Sequence, residues 1–390
     1  MSVTAPDGFV ASGWACGIKA GAALDLSLVA TEDARAMPAA AVFTSNRAAA
    51  APVQVSREHL VASGGRAAAV VLNSGNANAA TGANGRSHAE RMCSAVANQL
   101  GCSGEEVLVC STGLIGFDLP MSAVDSGIGP LVAARRRAGA EEAARAIMTT
   151  DTHPKQVVVR GDGFVVGGMA KGAAMLAPDM ATMLAVLTTD AEVASHRLRA
   201  LLRRAVGGSF NAMSVDGSNS TNDTVILLAS GRAGPVGEDV LGSALAEACA
   251  DLAGQMAGDA EGMTKVARIR VRGATDDGQA QQAARAVAQS VLVKCSLYGG
   301  DPYWGRVVSE LGSAGVDFDL DRVSIAYGGV MVCRAGIRAA LGESQAAVLT
   351  EHMAGRYLEL DADLGLGPGH GAMLATDLTH AYIDENMGTS

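Results

Sequence analysis

The run KGAAMLAPDMATML over residues 171–184 sets one lysine, Lys171, and one hydroxyl, Thr182, among small and apolar residues. After Thr182 the chain continues as MLAVLTT, the pattern of a buried strand. A hydroxyl at the mouth of a strand, near a cation, suits nucleophilic chemistry, but threonine is a weak nucleophile until a base takes its proton. The familiar helpers are absent. The chain has no G-x-S-x-G elbow and no phosphate-cradling G-x-x-x-x-G-K-[ST], and its seven histidines scatter from His59 to His380 without metal-ligand spacing. DGSNSTND, from Asp216, lacks the central glycine and closing glutamate of a calcium loop. Neither a metal nor a histidine-activated nucleophile is expected.

Three further polar islands border apolar runs: VLNSGNANAATG (71–82), CSTGLIG (110–116) and SVDGSNSTNDT (214–224). The glycines of the second leave backbone N–H groups able to point at an anion. Each island alone reads as an ordinary turn. Four of them at strand ends point to one shared polar cleft.

These islands need strands to hold them. Period-two or β-branched runs predict strands at LDLSLVA from Leu24, AAVVLNS from Ala68, EVLVCS from Glu106 and TVILLAS from Thr224, and a hairpin at KQVVVRGDGFVVGG turning at Gly161–Gly163. Helical periodicity appears over His88–Leu100, Glu141–Met148, Ala191–Ala205, Val240–Met256 and Gln279–Leu292. TDAE at Thr189–Glu192 reads as a capping box for the third. The Ala/Arg/Glu-rich stretch 130–146 reads as a solvated helix. Strands and helices mix without strict alternation, which predicts α+β layers rather than a doubly wound sheet. GATDDGQ near Gly273 is the best candidate boundary.

The net charge of −10 argues against nucleic acid or an anionic membrane as partner, whereas small charged metabolites remain compatible. Seven scattered cysteines without a C-x-x-C pair, and a start lacking a signal-peptide pattern, predict a cytoplasmic protein with reduced thiols. Aromatic residues make up only 3% while glycines number 48, which predicts a core of small side chains with close backbone approaches.

With MAKGAAMLAPDMATMLAVLTTDA, NSGNANAATG, CSTGLIG, IMTTDTHPKQ, DGSNSTNDT, DAEGMTK and GGDPYWGRV, the chain resembles the ornithine acetyltransferase (glutamate N-acetyltransferase) family of arginine biosynthesis. The similarity runs from GFVASGWACGIKAG to TDLTHAYIDEN, essentially the whole length. The resemblance implies self-cleavage between Ala181 and Thr182, giving an α chain 1–181 and a β chain 182–390. Thr182 then carries a free α-amine, with an ordinary pKa of about 7.7–8.0, as its own base. It further implies a two-step transfer. N2-acetyl-L-ornithine acetylates Thr182, and L-glutamate then takes the acetyl group.

By the same resemblance, Thr112 and Gly113 form the oxyanion hole, and Thr149, Lys171, Thr182, Glu261, Asn386 and Ser390 bind ligand. Lys171 would hold the carboxylate common to both substrates, and Glu261 the ammonium end. No cofactor is implied, and acetyl-CoA serves as a further donor in some members. The implied fold is a layered α/β/β/α core over 1–275, like that of DmpA-type aminopeptidases, with a smaller α+β domain over 276–390. The implied assembly is a tetramer of two α and two β chains.

Three positions depart from the family pattern. Ala174 replaces a glycine, which matters if φ is positive there. Asp179 adds a negative charge three residues before the nucleophile. Ala80, where relatives often have cysteine, reads as a packing change. The tail is one residue shorter, leaving Thr389 and Ser390 both as ligand candidates. Two other readings compete with transfer: an amidase or aminopeptidase with water as acceptor, and a non-catalytic amino-acid binder.

Overall fold

The computed structural model describes residues 1–177 and 183–387. Along the chain it forms β1 (Phe9–Trp14), β2 (Leu26–Thr31), β3 (Met37–Phe43), α1 (Ala51–Ala62), β4 (Arg66–Ala67), β5 (Ala69–Asn76), α2 (Gly82–Leu100), β6 (Val107–Leu114), α3 (Met121–Ala133), α4 (Ala140–Ala146), β7 (Lys155–Arg160), β8 (Val165–Lys171), β9 (Leu184–Glu192), α5 (Ser195–Gly207), β10 (Met213–Ser214), β11 (Thr224–Pro235) and α6 (Glu238–Ala257). Its contacts group into two units, residues 1–211 with 218–256, and residues 212–217 with 257–390.

In the first unit, one sheet has the order β1-β2-β5-β6, and a second the order β4-β3-β11-β9-β8-β7. Alternation along each strand divides the apolar residues between two faces. Val29, Val70, Leu72 and Leu108 of the first sheet meet Met169, Leu184, Val186, Ile226 and Leu228 of the second in one core. Their neighbours Leu28, Val71, Val107 and Val109 turn the other way, against Met92 and Val96 of α2 and Ile128 and Leu131 of α3. On the far face of the second sheet, α5 packs on β3. Gln255 of α6 bonds the main chain of Gln156 on β7 in both directions, at 3.1 and 3.0 Å. The order helix, sheet, sheet, helix is thus built by the faces themselves, as expected.

Close approaches replace aromatic bulk. A side chain at Gly139 would lie 1.9 Å from the Ala11 carbonyl oxygen, and one at Gly13 would lie 2.2 Å from that of Glu142, so α4 and the turn before it rest directly on β1.

Two local expectations are corrected. Thr189–Glu192 ends β9 instead of capping a helix, and α5 starts at Ser195. The Asp190 carboxylate is committed to the backbone N–H groups of Asp7 and Val165, at 3.1 and 2.8 Å, so it serves the sheet edge. Stretch 130–146 is not one solvated helix. α3 ends at Ala133, and Ala140, Ala143, Ala144 and Ala146 of α4 are buried, the first three of them in the core between the sheets.

The second unit continues with β12 (Val266–Ala274), α7 (Asp277–Gln289), α8 (Val291–Gly299), α9 (Trp304–Ser313), β13 (Ser324–Tyr327), β14 (Val330–Arg334), β15 (Ile337–Arg338), α10 (Glu343–Ala354), β16 (Tyr357–Asp363), β17 (Gly369–Thr376) and α11 (His380–Asn386). Its sheet runs β10-β17-β12-β16-β13-β14-β15. Because β12 pairs with both β16 and β17, this unit takes in residues before 276, where the sequence suggested a boundary. The expected 279–292 helix is two: Ser290 caps α8 by accepting from the Val293 N–H, which separates it from α7.

Candidate active site

Strand register decides what surrounds the start of β9. Leu184 pairs with Lys171 of β8 on one side and with Thr224 of β11 on the other. The backbone N–H of Thr224 donates to the Met183 carbonyl at 3.1 Å, and the Met183 N–H donates to Asp223 Oδ1 at 2.8 Å. Ala181 and Thr182 lie outside the described residues, as do Asp179, Thr389 and Ser390.

Lys171 is 3% exposed. Its Nζ donates to Thr149 Oγ1 at 2.7 Å and to Thr112 Oγ1 at 3.3 Å, and lies 3.9 Å from Asp151 Oδ2. An ammonium only donates, so each threonine oxygen accepts from it and keeps its own O–H for another acceptor. Three of the expected residues thus meet at one cation.

The fourth, Gly113, follows Thr112 at the end of β6, where the ladder to β5 is bulged at Gly75 and Asn76. Its φ is +131°, and a Cβ there would stand 2.3 Å from the Gly75 carbonyl carbon. Only glycine fits this crossing.

A buried charge needs a partner. Lys155 and Asp151 have fully buried side chains, and Lys155 Nζ donates to Asp151 Oδ1 at 2.6 Å. Asp151 also accepts from the Gly172 N–H at 2.8 Å and from the Thr149 N–H at 3.1 Å. Burial opposes its ionisation, but the Lys171 and Lys155 ammoniums and these donors overcome it and hold its pKa down at about 2. Asp151 is a counter-ion of both lysines and the fastening of Thr149.

The polar islands do converge in this unit. Ser111 Oγ donates to Asn73 Oδ1 at 2.6 Å, while Asn222 Nδ2 donates to the carbonyls of Ala77 and Ser111 at 2.6 and 2.9 Å. Asp223, next in chain, is wholly buried, and its Oδ2 has no hydrogen-bond partner among the described residues. Burial pushes its pKa well above the usual carboxylate range, against the pull of the Met183 N–H, Ser220 and the Lys171 charge. A carboxyl whose folded pKa is raised stabilises most at low pH, and its contribution fades as pH climbs from about 4 toward the folded value. Asp223→Asn, neutral throughout, is therefore expected to gain in melting temperature relative to the parent as pH rises over that window. Calorimetry across pH 4–8 checks this, and a constant offset would refute it.

In the second unit, Asn386 of α11 donates from Nδ2 to Glu261 Oε2 and to the Tyr382 carbonyl, both at 2.8 Å. The two residues expected to bind ligand there are direct partners. Of the departures, Ala174 does not have a positive φ. Met175 does, at 53°, so the expected strain falls one residue later. Ala80 is exposed at φ 56°, which makes it a left-handed turn residue rather than a packing position.

A family model described as the ArgJ family matches residues 10–388. The chain belongs to the ArgJ family. It is 45% identical over 391 residues to the arginine biosynthesis bifunctional protein ArgJ of Thermobifida fusca, covering 100% of both chains. It is 45% identical over 399 residues to the protein of that name from Mycobacterium tuberculosis, covering 100% of this chain and 96% of that one. Among solved structures, the ornithine acetyltransferase of M. tuberculosis complexed with ornithine is 47% identical, over 45% of this chain and 94% of that chain, with a TM-score of 0.43. The expected acyltransferase of arginine biosynthesis stands at the level of the ArgJ family.

Sequence reasoning passed over Asp151, Lys155, Asn222 and Asp223 in this ArgJ chain. The spacing of Asp151 and Lys155, four apart ahead of an apolar strand, was the available signal. Nothing local distinguishes Asp223 from a turn residue.

Proposed function

We propose that this ArgJ-family protein transfers an acetyl group from N2-acetyl-L-ornithine to L-glutamate through an acetyl-Thr182 intermediate, after cutting itself between Ala181 and Thr182. The observation that carries the reading is the buried Lys171 ammonium bonded to both Thr149 and Thr112. A fixed cation beside two oriented hydroxyls suits a substrate carboxylate on one side and a developing oxyanion on the other.

In the first half-reaction, Thr182 Oγ attacks the acetyl carbonyl and its proton passes to the Thr182 amine. Thr112 O–H and Gly113 N–H donate to the oxyanion. The amine returns the proton to the departing ornithine nitrogen as the C–N bond breaks. Glutamate's amine then attacks the ester, and Thr182 recovers its hydroxyl. Before cleavage the Thr182 nitrogen is an amide and cannot serve as base, so the cut switches the site on. Lys171 pairs with the α-carboxylate shared by donor and acceptor, Glu261 with the ornithine ammonium, and Asn386 and the terminal Ser390 complete the ligand contacts. The active form is a tetramer of two α and two β chains.

Intact-mass analysis should show two pieces, each about half of the 39.3 kDa chain, the second starting at Thr182. With acetylornithine alone, one ornithine per site should be released and the second piece should gain one acetyl group. Adding glutamate should give turnover. An uncut chain, or ornithine release that turns over without glutamate, would overturn the reading. Free thiol released from acetyl-CoA in the presence of glutamate reports whether the same acyl-enzyme accepts that second donor.

A further inference from the structure

Beside Thr149 opens a cavity of about 590 Å³, whose lining includes Lys19, Arg145, Thr149, Thr152 and His153. Among the described residues, three of its lining side chains are basic and none is a carboxylate, and one of the three, Arg145, is paired with Glu141 at 2.8 Å. Thr149 belongs to both places, because its hydroxyl oxygen accepts from Lys171. We propose that this cavity seats the side-chain carboxylate of the acceptor amino acid, with Lys19 as its main cation. This rests on the proposed use of glutamate as acceptor, and names the residues that select it.

Lys19 is built into place. The fully buried Asp25 accepts four successive N–H groups, those of Cys16, Gly17, Ile18 and Lys19, at 2.7, 3.0, 2.7 and 3.0 Å. That cradle fixes the loop from which the lysine extends. Lys19 Nζ donates to the Leu24 and Met148 carbonyls at 2.9 and 2.7 Å. An ammonium has three N–H donors, so one is left without a partner among the described residues. Burial lowers the Lys19 pKa, and the Lys171 charge nearby lowers it further, against the pull of Asp25 and Asp151. Bringing an anion between the two lysines relieves that repulsion.

The charge pattern separates the two substrates. With the α-carboxylate on Lys171, glutamate extends a second carboxylate, which a basic cavity attracts. Acetylornithine extends an ammonium, which the same cavity repels. Lys19 therefore belongs to the second half-reaction and not to the first. As a mere staple between the 16–25 loop and Met148, it would serve both alike.

The test compares glutamate with glutamine, its neutral isostere, as acceptors for the acetylated enzyme. The wild type should prefer glutamate by roughly a hundredfold in kcat/KM, the scale of a charge pair at a partly shielded site. Lys19→Met should cut that preference at least tenfold through the glutamate KM, and lower ornithine release from acetylornithine far less. Lys19→Arg should restore much of the preference. Equal losses in both half-reactions, an unchanged preference, or no preference in the wild type would overturn the proposal. Should Lys19→Met fail to fold, Arg145→Gln combined with His153→Gln carries the test. A severalfold drop in preference is expected, and none would count against the site. A wild type that releases ornithine but acetylates neither acceptor would instead refute the acetyltransferase reading.

Discussion

Thr182→Ala is expected to leave one uncut chain of 39.3 kDa that releases no ornithine from acetylornithine. The hydroxyl is needed twice under the proposed mechanism. It first attacks the Ala181 carbonyl to shift that peptide to an ester, which water hydrolyses to free the Ala181 carboxylate and the Thr182 hydroxyl, and that hydroxyl later receives the acetyl group. Losing a nucleophile that acts as a unit with its base costs roughly 10⁴–10⁶ in rate, and here the base is not even liberated. Thr182→Ser keeps the hydroxyl and should retain both steps at reduced rate. Intact mass and ornithine release measure the two separately. A cut Thr182→Ala chain would place the nucleophile elsewhere, and an uncut chain that still turns over would end the N-terminal-amine mechanism.

Asp151→Asn is expected to cost about 3–5 kcal/mol in stability at neutral pH, because it breaks a fully buried ion pair with Lys155 by removing the charge of one partner. It also removes the carboxylate that faces Lys171 and fastens the Thr149 N–H, so transfer should fall even in the fraction that folds. The pH dependence has a definite sign. Asp151 titrates near 2 in the folded chain, below its ordinary value of about 3.9, so its contribution is complete above about pH 4 and is lost as pH falls toward 2. Denaturant titrations of parent and variant should differ most at neutral pH and converge over that acidic window. A gap that stays constant down to pH 2 would exclude the ion pair as the cause.

The strands and the hairpin were legible because period-two patterning reports which faces are covered, and the four polar islands at strand ends are joined by hydrogen bonds in the fold. What escaped was pairing across distance. Thr189–Glu192 looked like a capping box until the strand ran through it and the sheet edge engaged Asp190 with the N–H groups of Asp7 and Val165. Asp151 and Lys155 were passed over, because only the fold shows both buried with each other. The alanines of 130–146 looked solvated because their spacing fits an exposed helix as well as one pressed between two sheets. Thr112, Thr149 and Lys171 were assigned through resemblance alone, and the fold gives that grouping a physical cause in a shared ammonium.

The order β4-β3-β11-β9-β8-β7 carries one more consequence. A cut at 181/182 leaves β9 and β11 on the second piece, gripped between β8 and β3 of the first. Until the cut, refolding is a search by one chain for itself. Afterwards it requires two molecules to meet, and its midpoint becomes dependent on protein concentration. Maturation would then act as a ratchet: the continuous chain selects the fold once, and the cut enzyme, if it unfolds at low concentration, has no fast way back.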